Sequence, residues 1–330
     1  MADVARYRQL LARFAGARVV VAGDLVADEF VYTRIDRVSR EAPVLILKHD
    51  RSETLAGGAG NAAANAAALG GRVEIIGAVG RDDVGTRLLE ALPARAATRG
   101  VVRARGYITP IKTRILAGGI HSAKQQVVRI DRAGGRLSPL VLRKIETTLA
   151  RAIGRADATI ISDYGLGLIT PEMWARALAA ARPRRAPMVL VDSRYALATY
   201  SGITACTPNE SEVEALLGVK INDDRAVLEH AGRELLKRLR CQAVLITRGS
   251  RGMALFEPNR PTDHIPIVGS DEVADVTGAG DTVIATFSLA LAAGATFRDA
   301  ARLANFAGGI VVMKRGTATV TRAELAAALR

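Results

Sequence analysis

Short apolar runs bounded by glycine or aspartate alternate along this chain with longer stretches whose apolar residues recur every three or four positions. The first run, "ARVVVAGD" (17–24), predicts a buried strand, and the amphipathic "DVARYRQLLARF" before it predicts a helical lead-in. After it, "EFVYTRIDRVSREAPVLILKHD" alternates in short pieces and predicts hairpin strands. "AGGAGNAAANAAALGG" predicts a glycine turn, an alanine-rich helix and a glycine stop, leading into the strand "VEIIGAVG" and a short helix at "DDVGTRLLEAL". Strand-like pieces return at "VRARGYITPIKTRILAG" and "AKQQVVRID". From about residue 138 the period lengthens. Helices are predicted over 139–153, after Pro171, and over 210–217, 224–239, 281–293 and 298–312. Between them lie the strands "ATIISDYG", "MVLVDSR" and "AVLITRGSRG", the strand or turn "ITACTPNESE", and a hairpin near 253–268.

Strands alternating with helices of this length predict an α/β protein with a parallel sheet covered on both faces. Two stretches without crossover helices, about 30–50 and 106–131, predict a small inserted sheet. In an open α/β sheet, ligands sit beyond the carboxyl ends of the strands. Asp24, Asp163, Asp192, Asn209 and Thr247 all fall at such ends.

Composition narrows the class. The 330 residues are 49% hydrophobic, enough for one large domain, and only 4% aromatic, which suits close-packed helices and tight turns. Cys206 and Cys241 make neither a disulfide framework nor a metal-ligand spacing, so a reducing, cytoplasmic setting is expected. The best apolar run, Val283–Ala295, falls short of the roughly 20 residues that span a membrane. The formal charge of +13 raises nucleic acid as a partner, but the basic residues are spread along helices. Their densest cluster, "RPRR" (182–185), reads as a loop, and no basic stripe interleaves with aromatics. Neither nucleic acid nor membrane is expected as a partner. A positive field also suits a polyanionic small molecule.

The chemistry concentrates in "ADVTGAGDTVIATFSLALAAG" (274–294). Asp281 follows Gly278-Ala279-Gly280 at the start of an apolar helix, where it is either a first-turn carboxylate or a base. Glycines there let backbone N–H groups converge on developing negative charge. Gly57, Gly58 and Asn61 form a second cluster: either an ordinary helix entry, or, with Asp24, a seat for a polyol. Asn209 and Glu212 in "TPNESE" read as a helix start or as holders of water around a divalent ion. Thr247, Gly249 and Gly252 offer a hydroxyl and bare backbone for phosphates or ribose. GxxxxGK[ST], a strand-linked GxGxxG, HExxH and GxSxG are absent, which excludes a P-loop ATPase.

These pieces together resemble the ribokinase-like (PfkB) carbohydrate kinases. The likeness runs through "VVVAGDLVADEF", "RVSREAPV", "LAGGAGNAAANAAALG", "IKTRILA…QQVVRID", "SDYGLG", "TPNESE", "LITRGSRGM", "DVTGAGDTVIA" and "LANFAGGIVVMKRGTATV", from about residue 17 to the C-terminus. "RVSREAPV" and "KRGTATV" tilt it toward the branch that phosphorylates D-glycero-β-D-manno-heptose 7-phosphate at O1, on the route to ADP-heptose and lipopolysaccharide. A kinase for another sugar or a nucleoside, and a non-catalytic sensor on the same fold, are the alternatives. The resemblance implies a ribokinase-like three-layer α/β/α sandwich with a small β-sheet lid. A single kinase domain over 1–330 with no nucleotidylyltransferase domain is expected, and an apolar face on the small sheet is expected to pair two copies through the lid as a homodimer, since it would otherwise be a liability.

ATP, Mg2+ and a monovalent cation such as K+ are the implied cofactors. Asp281 becomes the base, with Gly278, Ala279 and Gly280 as the anion hole. Asn209, Glu212, Thr247, Gly249, Gly252, Asn305 and Gly309 become nucleotide contacts, Glu212 reaching magnesium through water. Asp275 and Thr277 take the monovalent cation. Asp24, Gly57, Gly58, Asn61, Asp163, Lys112, Arg114, Gln126, Arg129 and Arg194 face the sugar or its phosphate. The chain departs from the heptose branch at Leu166, where that branch has lysine in "SDYAKG", and at Asp192-Ser193-Arg194, where it has "DPK".

Overall fold

A computed structural model of the chain describes residues 2–118, 124–181, 186–268 and 275–329; the expected 182–185 loop, and parts of the stretches expected around 106–131 and 274–294, lie outside them. Helix α1 (Ala2–Arg13) leads into strand β1 (Arg18–Gly23). Two long strands, β2 (Leu25–Val38) and β3 (Leu45–Gly58), precede α2 (Ala59–Ala68), β4 (Arg72–Gly80), α3 (Asp83–Glu90) and β5 (Ala96–Ala104). Strands β6 (Ile111–Ala117) and β7 (Gln125–Arg132) come next, then α4 (Pro139–Ile153), β8 (Ala158–Asp163), α5 (Pro171–Ala180), β9 (Val189–Ser193) and β10 (Ala205–Cys206). Helices α6 (Glu210–Leu217) and α7 (Arg225–Leu239) lead to β11 (Ala243–Thr247) and the hairpin of β12 (Met253–Phe256) and β13 (Asp263–Ile265). The chain closes with α8 (Ala279–Ala292), α9 (Phe297–Val311) and α10 (Arg322–Ala328).

Nine strands form one sheet in the order β13-β12-β11-β10-β9-β8-β1-β4-β5, parallel except where β12 and β13 fold back. Its central strands are near-continuous apolar runs because both faces are covered. One face packs on α1, α2, α8, α9 and α10 around Phe14, Leu69, Phe287 and Leu303. The other packs on α4, α5 and α7 around Leu149, Trp174 and Leu235. The result is the three-layer sandwich that the alternation predicts. Helix α2 is buried on nearly every side, and its alanines let it lie close against neighbouring backbone.

A second sheet, ordered β3-β2-β6-β7, carries the alternating segments. Strands β2 and β3 are longer than the alternation suggested. They are buried where they leave the main sheet and exposed at their far ends. Gly57 and Gly58, read from the sequence as a turn, are the last residues of β3, paired with Val26 and Leu25. Ile35, Val38, Val44, Leu45, Val127, Val128 and Ile130 leave a large apolar area exposed on this sheet and its connecting loop.

Candidate active site

Helix α8 begins two residues before Asp281, at Ala279, with Gly278 as its N-cap in a left-handed conformation (φ 77°). A side chain at Gly278 would also place a Cβ 2.4 Å from the Asn61 amide nitrogen, so any other residue there is strained and would displace Asn61. Asp281 is therefore the third residue of the helix and caps nothing. Its carboxylate is 4% exposed. Asn61 Nδ2 donates to Oδ2 at 2.8 Å and the Tyr164 hydroxyl donates to Oδ1 at 3.1 Å. Burial pushes the Asp281 carboxyl up to about 7, and these two donors work against that rise. Burial, with Asp281 alongside, holds the Tyr164 hydroxyl well above the usual phenol range, so it remains a donor.

Asp281 borders a cavity of about 460 Å3 at the carboxyl ends of the strands. Lys112, Arg114, Arg129 and Arg194 line it together with Asp28, Gly58, Asp163, Asp192, Gly278 and Gly280. Arg114 is not a free cation: its Nη1 donates to Asp28 Oδ1 at 2.6 Å in a buried pair, and the Thr317 hydroxyl donates to Asp28 Oδ2 at 3.0 Å. Gly57 is bare because a Cβ there would meet Asp28 Oδ2 at 2.3 Å. Arg129 is tied to Asp131, and Lys112 lies over the Tyr164 ring. Burial pulls the Lys112 ammonium down from the usual lysine range, Asp28 opposing and Arg194 and Arg129 reinforcing the fall. Burial also raises the Asp192 carboxyl well above the ordinary range, as do the neighbouring Glu212 and Asp281 carboxylates.

Several expected sugar contacts are placed otherwise. Asn61, expected to read a hydroxyl, gives its N–H groups to Asp281 and the Gly278 carbonyl, while its Oδ1 accepts from Asn65. Asp24 is 3% exposed and accepts from the Tyr164 and Leu166 backbone N–H groups instead of lining the cavity. Asp163 borders the cavity, yet its carboxylate accepts from Gly165 N–H, Ser193 Oγ and Tyr200 Oη. Gln126 sits on exposed β7, away from the cavity lining.

On the other side of α8, an apolar slot of about 160 Å3 gathers Thr247, Gly249, Gly252, Asn305 and Gly309, with Met253, Ile267 and Val283 as walls. Asn305 donates to the Pro266 carbonyl at 2.7 Å. Thr247, Val276 and Gly280 border both cavities, so the two adjoin at the start of α8. Asn209 and Glu212 line the larger one and form a reciprocal capping box, each side chain accepting from the other's backbone N–H at 2.9 Å. Burial lifts the Glu212 carboxyl above the usual range, against hydrogen bonds from Asn209. Asp275 accepts from Thr277 N–H and Gly316 N–H, closing the loop before α8. No group of three or more metal-ligating side chains occurs among the described residues.

Asp28, Tyr164 and Thr317 were missed in the sequence. Asp28 shares a strand face with Val26, two residues away, and both line the cavity, but that cavity is formed only by the fold.

A mostly parallel sheet between two helical layers, with a glycine-led helix and a buried carboxylate at its carboxyl edge and a small second sheet alongside, is the ribokinase-like fold. The structure aligns with ribokinase of Arabidopsis thaliana, complexed with ribose and ATP, at a TM-score of 0.73 and 22% identity, over 95% of this chain and 99% of that one. It aligns with phosphofructokinase-2 of Escherichia coli, in complex with fructose-6-phosphate, at 0.74 and 20%, over 95% and 98%. The pfkB family carbohydrate kinases match residues 18–324, and the chain belongs to that family. It is also 41% identical to the bifunctional protein HldE of Geobacter sulfurreducens, over 97% of this chain and 64% of that protein. It thus spans a little under two thirds of the length of the curated relatives it matches.

Proposed function

We propose that the chain transfers the γ-phosphoryl group of ATP to a hydroxyl of a sugar phosphate, with D-glycero-β-D-manno-heptose 7-phosphate as acceptor at O1. The observation that carries this reading is the single cavity holding Asp281 at the start of α8 and cations on the facing strands. A hydroxyl bound there gives its proton to Asp281. The N–H groups at Gly278–Gly280 receive the negative charge of the moving phosphoryl group, a task of positioning and neutralisation. Asp28, fixed by Arg114 and Thr317, holds the sugar, and the exposed guanidinium of Arg194 with Lys112 holds its distal phosphate.

The apolar slot suits a purine. Its glycines leave room beside Asn305. Glu212 and Asn209 line the larger cavity, where magnesium, bound through their waters, would supply charge neutralisation on the phosphates. With few direct carboxylate ligands available, water-mediated binding is the mode these residues fit. A monovalent cation would lie against the Asp275–Thr277 loop. The second sheet serves as a lid, and its exposed apolar area pairs two copies. The matches to HldE support this reading, and on the resemblance of "DSR" to "DPK" Arg194 takes the place of the heptose branch's lysine.

Coupled ADP release across a panel of free and phosphorylated heptoses, hexoses, pentoses and nucleosides tests the reading. Turnover concentrated on the heptose 7-phosphate is expected. Equal or better use of an unphosphorylated sugar moves the chain to another carbohydrate kinase activity. No turnover with any acceptor leaves a sensor.

A further inference from the structure

Asp281 receives two hydrogen bonds, from Asn61 and Tyr164, and these residues lie on different elements far apart in sequence. Both lead back to one residue. The Asp24 backbone carbonyl accepts from Ala59 N–H at 3.0 Å, which fixes the first turn of α2 and with it Asn61. Its side-chain Oδ2 accepts from Tyr164 N–H at 2.9 Å and Leu166 N–H at 3.1 Å, which fixes the turn after β8. The Asp24 backbone N–H in turn donates to the Ser162 carbonyl at 3.1 Å, stitching β1 to β8 just before that turn. Among the described residues, Asp24 Oδ1 is buried without a hydrogen-bond partner.

We propose that Asp24 is a positioning residue, the common anchor from which Tyr164 and Asn61 are both aimed at the base. It acts through the turn that carries Tyr164 and does not touch the sugar. The inference rests on Asp281 being the base. What the turn requires from residue 24 is one oxygen accepting two N–H groups, not a negative charge. Burial already pushes the Asp24 carboxyl up to about 6, with Asp163 adding to the rise and the hydrogen bonds from the turn opposing it. An asparagine presents the same accepting oxygen; an alanine presents none.

Four variants test this: Asp24→Asn, Asp24→Ala, Tyr164→Phe and the double Asp24→Ala/Tyr164→Phe. With the sugar phosphate used by the wild type, Asp24→Ala is expected to lower kcat at least tenfold while the sugar KM stays within twofold. Asp24→Asn should keep more than a third of kcat. Tyr164→Phe should lose about as much as Asp24→Ala, and the double variant no more than either. A carboxyl carbon-13 titration of Asp281, which needs no substrate, supplies a second readout. Its midpoint should stay near 7 in Asp24→Asn and rise in Asp24→Ala and Tyr164→Phe, where a donor to the carboxylate is displaced or deleted.

A sugar KM raised tenfold in Asp24→Asn with kcat intact makes Asp24 a substrate ligand and overturns the proposal. So do losses that multiply in the double variant. If Asp24→Ala does not fold, an Asp281 midpoint unmoved by Tyr164→Phe overturns it. A chain that phosphorylates no sugar defeats the functional reading and leaves the titration to decide this one.

Discussion

The Asn61 side-chain amide donates a 2.8 Å hydrogen bond to Asp281 Oδ2, bridging 220 positions of sequence. That contact joins the first turns of α2 and α8, the two helices that pack beside each other against the main sheet. It makes a residue with the look of a sugar ligand a hydrogen-bond donor to the Asp281 carboxylate.

Removing the base acidity tests this setting from both sides. Asp281→Asn should retain ATP and sugar binding by calorimetry and lose roughly 10²–10⁴ in kcat, the usual contribution of a general base. More than a third of wild-type turnover would show Asp281 to be structural.

The same substitution has a signed effect on stability. The folded carboxyl titrates near 7, far above its unfolded range, so the folded state holds its proton more tightly. The wild type therefore loses stability as pH rises from about 4 to 7. Asparagine does not titrate. Thermal melts should show Asp281→Asn more stable relative to wild type at pH 8 than at pH 5; a pH-independent difference would contradict the buried, raised carboxyl.

Arg114 and Asp28 are a buried pair, with side chains 9% and 8% exposed. Arg114→Leu strands the Asp28 carboxylate with only Thr317 as a donor. A loss of about 3–5 kcal/mol is expected in urea unfolding, as for other broken buried pairs. A loss under about 1 kcal/mol would mean that water reaches Asp28.

Arg194 and Lys112 are the cavity cations without a carboxylate partner among the described residues, since Arg114 and Arg129 already hold carboxylates. The wild type is expected to prefer the phosphorylated heptose over the free sugar at least tenfold in kcat/KM, about 1.4 kcal/mol. Arg194→Ala should shrink that ratio while leaving kcat/KM on the free sugar within about threefold. An unchanged ratio removes Arg194 from phosphate recognition.

Static light scattering tests the exposed apolar area on the second sheet. A mass of two chains at micromolar concentration is expected, with Val128→Asp shifting it toward one chain. A monomeric wild type would refute pairing through this sheet.

Much of this architecture was legible because its punctuation is chemical. Helices α4 and α6 start where the sequence places them, since Ser138 and Asn209 are side-chain caps visible as such. Helix α8 was placed two residues late because its cap, Gly278, works by backbone conformation and leaves no side-chain mark. The glycine-led helix and Asp281 stood out as a motif. Asp28 and Tyr164 did not, because their roles depend on which strand ends meet in space. Asp24, Asp163 and Asn61 look in sequence like ligands at strand and helix ends, but Asp163, Asn61 and one carboxylate oxygen of Asp24 are engaged by neighbouring protein groups.

The ladder between β2 and β3 is regular from Leu25 to Tyr32 and then slips twice, between Tyr32 and Thr33 and between Ile35 and Arg37. At each slip the strand pair bends and its local twist increases. Asp28 and Gly57 lie on the regular side of both, and the exposed apolar tip lies on the other. The pair is thus a cantilever: an even ladder holds its root beside the Asp281 cavity, and the two bends set the course of the tip beyond it.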